Sequence, residues 1–307
     1  MSRMQRRTKR QTESDAWLRA WEYTEEHTEP PQVATVKRLL RQFGLAPRKR
    51  FGQNFLVDLN VLADIVAAAE LRPDDTVVEV GPGLGILTRE LAQRARRVIA
   101  VEVDRDLASI LKRALASLSN VEIVNADILE FDPLKALNGA PYKVVANLPY
   151  YITSPTLRHF LEARHKPKLL VVMVQREVAE RIVAAPGSMS LLSVSVQFYG
   201  DARLVRLVPA HAFYPQPKVD SAVVRIDVYD RPAVDVDPEK FFRVVHAGFA
   251  QPRKQLHNAL ARGLWLPPGK AIELLREAGI DEKRRAQTLS LDEWGRLAKV
   301  FEGHGYL

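Results

Sequence analysis

The stretch Glu79-Val80-Gly81-Pro82-Gly83-Leu84-Gly85 sets three glycines between an apolar, β-branched run and a helical pattern that starts near Ile86. Glycines allow a tight strand-to-helix turn and let a ligand approach outward-pointing backbone amides. The spacing departs from the dinucleotide fingerprint G-x-G-x-x-G, because Ile86 stands where the third glycine would be. A second strand-like run ends in Val101-Glu102-Val103-Asp104, with Glu102 lying 21 residues beyond Gly81. A carboxylate there can accept hydrogen bonds from both hydroxyls of a ribose. A third run is followed by Asn125-Ala126-Asp127, and Asp127 can accept from an adenine amino group. Together these groups describe a pocket for an adenosine-containing ligand.

With these elements in register the chain resembles the class I S-adenosylmethionine methyltransferases. A fourth run sharpens the resemblance, since it ends in Asn147-Leu148-Pro149-Tyr150, a form of the tetrapeptide found in enzymes that methylate exocyclic amines of nucleic-acid bases. Such an amine is a poor nucleophile because its lone pair is delocalised into the ring. The Asn147 side-chain oxygen and the Leu148 carbonyl could accept from the two N6 hydrogens and so favour a pyramidal nitrogen. Pro149 would stiffen the loop, and Tyr150 offers a face on which an extruded adenine stacks.

The elements that must position these residues follow from periodicity. Helical spacing in Val36, Leu39, Leu40 and Phe43 stops at Gly44, and a second helix runs from about Asp58 through Leu59, Leu62, Ile65 and Val66. Strand-like runs at Thr76–Val80, Val98–Val103, Val121–Val124, Tyr142–Ala146 and Leu169–Val174 alternate with helical patterns. Alternation of this kind implies a doubly wound α/β domain with a parallel sheet. Runs at Arg203–Val208 and Val219–Val228 could pair as an antiparallel end to the sheet. After Asp230-Arg231-Pro232 the pattern becomes helical, at Glu239–Ala250, Arg253–Arg262, Gly269–Ala278 and Leu291–Phe301. The expected organisation is a basic N-terminal extension over 1–32, a Rossmann-like methyltransferase domain over 33–230, and a smaller all-helical domain over 231–307. Within the extension, Ser14 to Glu26 could form a short amphipathic helix, closed by Glu29-Pro30-Pro31.

Composition narrows the chemistry. The absence of cysteine excludes disulfides, thiolate metal sites and cysteine nucleophiles, and no metal is called for. Lys and Arg number 45 against 37 Asp and Glu, a net charge of +8 that suits a polyanionic partner. No apolar run is long enough to span a bilayer and no secretory signal precedes the first helix, so a cytoplasmic protein is expected.

Three further stretches narrow the class to one family: Gly52-Gln53-Asn54-Phe55-Leu56-Val57-Asp58, Phe213-Tyr214-Pro215-Gln216-Pro217-Lys218-Val219-Asp220-Ser221, and Phe249-Ala250-Gln251-Pro252-Arg253-Lys254-Gln255-Leu256. With them the chain resembles the small-subunit ribosomal RNA adenine dimethylases over about residues 36–301. The resemblance implies S-adenosylmethionine as cofactor, held by Asn54, the Leu56 backbone, Gly81, Gly83, Glu102, Asp127 and Asn147. It implies that Phe213 walls the target-adenine pocket opposite Tyr150. It also implies transfer of methyls to N6 of two adjacent adenines in the 3′-terminal hairpin of small-subunit rRNA, within an assembling 30S-type subunit, by a monomer. Arg253 and Lys254 could grip rRNA phosphates. A large-subunit adenine dimethylase and a non-catalytic assembly or transcription factor are the alternatives. Two stretches depart from the family pattern: Pro186–Leu192 is shorter than the family loop, and residues 1–32 have no clear counterpart.

Overall fold

The computed structural model describes residues 31–48 and 51–307. Nearly all of the N-terminal extension, including the helix read at Ser14 to Glu26, lies outside the described residues. The chain divides into two compact units. One comprises the described residues up to Ala179 together with Arg203–Ile226, and the other comprises Glu180–Ala202 with Asp227–Leu307.

In chain order the elements are helix α1 (Pro31–Gln42), strand β1 (Phe55–Leu56), α2 (Leu59–Ala68), β2 (Thr76–Val80), α3 (Ile86–Ala92), β3 (Arg97–Glu102), α4 (Arg105–Ala114), β4 (Val121–Asn125), α5 (Pro133–Leu137), β5 (Lys143–Asn147), α6 (Thr153–Leu161), β6 (Leu169–Gln175), α7 (Arg176–Ile182) and α8 (Leu191–Gln197). They continue with β7 (Gly200–Val208), β8 (Phe213–Tyr214), β9 (Ser221–Val228), α9 (Pro238–Phe249), α10 (Leu256–Gly263), α11 (Lys270–Glu277) and α12 (Leu291–Gly303). Among the described residues no helix is long and apolar enough to cross a membrane.

Seven strands form one sheet in the order β4-β3-β2-β5-β6-β9-β7. Strands β4, β3, β2, β5 and β6 are parallel, with Val80 opposite Val101 on one side and Ala146 on the other. The β-branched residues of β2 and β6 suit strands covered on both faces, and every residue of β2 is buried. Strand order reverses between β2 and β5, so the carboxyl ends of these two strands open the crevice in which doubly wound sheets bind ligands. Asp58 and Asp104 cap α2 and α4 by accepting from the amides of their first turns, which fixes where each connection ends.

The second unit packs α8 to α12. Phe198, just after α8, stacks on Phe241 at 4.4 Å between centroids and meets Phe242 edge-on at 5.1 Å. Trp294 of α12 is fully buried, and a Cβ on Gly248 would come within 2.4 Å of its ring. The helical unit therefore does not begin at 231 as the sequence implied. It recruits Glu180–Ala202 from within the expected methyltransferase domain, because the aromatic end of α8 is buried against α9.

Candidate active site at the carboxyl ends of the parallel strands

The turns that follow β2, β3, β4 and β5 converge with the segment 51–56 on one cavity, lined by Gly81, Gly83, Glu102, Asp127, Asn147, Leu148, Pro149 and Tyr150 among others. Convergence follows from register. Parallel pairing aligns Val80, Val101, Val124 and Ala146 across the sheet, so the next residues along each strand emerge side by side.

The glycine turn is shaped by contact as well as by ligand access. Gly81 donates to the Val101 carbonyl at 2.9 Å, and Gly83 (φ +58°) lies so close to Phe55 that a Cβ there would sit 3.3 Å from the ring. The segment bearing Phe55 is held over the turn by a two-stranded ribbon, in which Phe55 pairs with Tyr214 and Leu56 with Phe213. A polar tether completes its placement. Arg48 bonds Asp104 at 2.8 Å and Asp106 at 2.6 Å, while Gln53 accepts from the Arg48 amide and donates to Asp104.

Glu102 is buried and accepts from the Asp104 amide at 2.9 Å. Burial pushes its carboxyl up to about 7, although backbone amides of Asp104, Gly83 and Val103 hold it down in part. Asp127 is exposed and accepts from the Leu129 amide at 2.9 Å through one oxygen. Glu79 stands apart. It is the lone charge in a strand of Thr and Val, its Oε2 is buried without a hydrogen-bond partner, and it lines the cavity. Burial raises it to about 8, with the Thr88 hydroxyl nearby moderating the shift and the Glu102 charge adding to it. A buried carboxyl at the wall with one oxygen lacking a hydrogen-bond partner, which a neighbouring cation would help to ionise, a second carboxyl suited to a ribose, and an exposed carboxylate suited to an adenine fit S-adenosylmethionine, whose methionine end carries cationic groups. Glu79 was missed in the sequence, although an acidic residue inside an apolar run is a legible signal.

At the end of β5 the amide of Asn147 has a defined orientation. Its Nδ2 donates one of its two hydrogens to the Asn54 carbonyl at 3.2 Å, which fixes the two ends of the amide and leaves Oδ1 as its acceptor. Asn54 in turn donates from Nδ2 to the Gly52 carbonyl at 3.2 Å. Leu148 is anchored through its amide to the Met173 carbonyl at 3.1 Å. Tyr150 is half-buried, and its hydroxyl bonds the Ser221 hydroxyl at 2.7 Å. Phe213 departs from expectation: it is 3% exposed, packs in the core with Leu56, Val208 and Ala212, and does not line this cavity. The pairing of Leu56 with Phe213 turns that ring into the core beneath the ribbon. Arg253 and Lys254 lie in the second unit, in the exposed turn before α10.

Residues 44–302 match the family model described as ribosomal RNA adenine dimethylase. The chain is 49% identical over 277 residues to a protein named ribosomal RNA small subunit methyltransferase A from Dehalococcoides mccartyi, covering 90% of this chain and 95% of that protein. It is 47% identical to the protein of the same name from Moorella thermoacetica, over 88% of this chain and 99% of that one. Among solved structures it is similar to a dimethyladenosine transferase from Plasmodium falciparum, with a TM-score of 0.70, 25% identity, and coverage of 82% of this chain and 98% of that one. It is also similar to the 23S rRNA methyltransferase ErmE, with a TM-score of 0.66, 33% identity, and coverage of 81% of this chain and all of that one. The cavity lined by the Asn-Leu-Pro-Tyr turn is thus found in a chain that belongs, over most of its length, to the ribosomal RNA adenine dimethylase family.

Proposed function

We propose that this chain transfers methyl groups from S-adenosylmethionine to N6 of two adjacent adenines in the 3′-terminal hairpin of small-subunit rRNA, giving N6,N6-dimethyladenosine. The observation that carries the reading is the orientation of Asn147, whose nitrogen donates to the Asn54 carbonyl and whose oxygen is left to accept from the target amine. The cofactor supplies an electrophilic methyl group on a sulfonium. In this reading Glu102 accepts from the ribose hydroxyls, Asp127 accepts from the adenine amino group and Glu79 faces the cationic end, which is supported by all three lining one cavity. Asn147 and the Leu148 carbonyl hold the two N6 hydrogens, which turns the nitrogen lone pair out of the ring plane. Once methylated, that nitrogen carries an extra proton and can release it to water, so no strong base is required of the site. Tyr150 provides the stacking face for the flipped base.

The substrate is an assembling small subunit in the cytoplasm, and the enzyme works as a monomer. Support for the small-subunit branch comes from the identity of 49% to proteins named for the small subunit, against 33% to the 23S rRNA methyltransferase of known structure. The test is incubation with labelled S-adenosylmethionine and, separately, under-methylated small subunits and large subunits, followed by mass spectrometry of each rRNA. Two dimethyladenosines in the small-subunit rRNA are expected. Label confined to the large subunit would transfer the chain to the other branch, and none in either would make it a non-catalytic factor.

A further inference from the structure

Tyr151, the residue that follows the tetrapeptide, has no part in the mechanism above. It lines the same cavity and is 56% exposed, the most exposed large side chain on its wall. On one side its ring packs against the segment 51–56. A Cβ on Gly52 would lie 3.5 Å from Tyr151 Cδ1 and 3.7 Å from Cε1, ordinary contact distances that place the ring directly against this segment. On the other side the phenol is within electrostatic reach of the cofactor-binding acids: desolvation first, then the charges of Asp127 and Glu102, raise it above its ordinary value. The ring therefore sits against Gly52 on the wall of a cavity that Glu102 and Asp127 also line, with more than half of its surface still open to water.

We infer that Tyr151 is a cofactor-binding residue whose ring closes the cavity mouth over the nucleoside half of S-adenosylmethionine. The inference rests on the cofactor reading given above and adds a wall that the glycine turn and the acids do not supply. An aromatic face left half in water gains by stacking on a purine, and a purine bound between Glu102 and Asp127 removes that face from solvent.

Calorimetry on the full chain tests it, with two probes: S-adenosylhomocysteine, and 5′-methylthioadenosine, which keeps the nucleoside and lacks the amino-acid end. Tyr151→Ala is expected to weaken both by the same factor, about tenfold. Tyr151→Phe should stay within about threefold of wild type, because the ring face and not the hydroxyl makes the contact. Loss of affinity in Glu102→Ala with no loss in Tyr151→Ala would overturn this inference alone. The same holds if Tyr151→Ala weakens only S-adenosylhomocysteine, or raises only the KM for the ribosomal subunit. Failure of the wild-type chain to bind either probe would overturn the cofactor reading together with it.

Discussion

Glu79 is almost fully buried in β2, where its charge is poorly solvated, and the fold carries that cost as pH rises. Its carboxyl sits at about 8 against an ordinary value of 4.5. Between those values the folded chain holds a proton that the unfolded chain has released, so raising the pH favours unfolding. The stability this group contributes is complete below about 4.5 and is lost as pH rises through about 8. Glu102, at about 7, acts in the same direction. Thermal melts of the cofactor-free protein should therefore show a falling Tm from pH 5 to pH 8.5, with a change in stability on the order of a few kcal/mol. Glu79→Gln should flatten much of that slope, and an identical slope in the variant would mean the carboxyl ionises freely. Tyr150 carries a second prediction, because its ring is held by the bond from its hydroxyl to Ser221. Tyr150→Ala removes the stacking face and should cut single-turnover methyl transfer by about a hundredfold or more while leaving cofactor affinity nearly unchanged. Tyr150→Phe loses only a positioning hydrogen bond, worth a few-fold at about 1 kcal/mol, and Ser221→Ala should reproduce that modest loss. A phenylalanine variant as inactive as the alanine one would give the hydroxyl a direct role in the reaction.

At the scale of elements, what could be read in advance depended on how local the stabilising partner is. The core strands and α1 and α2 emerge close to their expected positions because a buried strand or an amphipathic helix declares itself within a few residues. The end of α2 does not. No glycine follows Ala68, and Glu70 takes up φ +44°. The open carbonyls are met by Lys143 Nζ at Ala69 and Glu70 (3.2 and 2.7 Å) and by Arg225 at Ala68 (2.9 Å). Both cations lie more than seventy residues away in sequence. Helix α8, Leu-Leu-Ser-Val-Ser-Val-Gln, was not read at all, since its β-branched composition offers no helical signature. It forms because Ser190 and Ser193 cap each other reciprocally and because Val194 and Val196 are buried.

For the molecule as a whole, the excess of cations matters through those that the fold leaves free. Arg276 is bound to Glu282 at 3.0 Å, and Arg284 to Glu293 at 2.5 Å and to the Thr288 carbonyl, so these two serve the second unit itself. Arg253 and Lys254 are exposed in the turn before α10. If they contact phosphates, subunit affinity should fall linearly with salt on a log-log plot, and reversing both charges should reduce the slope by roughly 1 to 2. An unchanged slope and affinity would leave them as solvated surface charges.

Whereas Asn54 and Leu56 belong to a short ribbon and stand out only through the family resemblance, Glu102, Asp127 and Asn147, proposed to hold the cofactor and the target amine, were legible in the sequence because each lies at or within two residues of the end of a strand that declares itself by hydrophobic pattern. Their chemistry is carried by residue type alone: a carboxylate for a ribose, an amide for an amine. Tertiary structure decided which strands are neighbours, placing β2 beside β5 although β3 and β4 intervene in the chain. It turned the Asn147 amide by a bond to Asn54, which is 93 residues away, and fixed Tyr150 through Ser221, which is 71 residues away. It also withdrew Phe213 into the core and joined Glu180–Ala202 to the C-terminal helices. Such outcomes depend on which groups meet after the chain has closed long loops. A side chain's orientation is then set by packing and hydrogen-bond partners that local sequence does not contain.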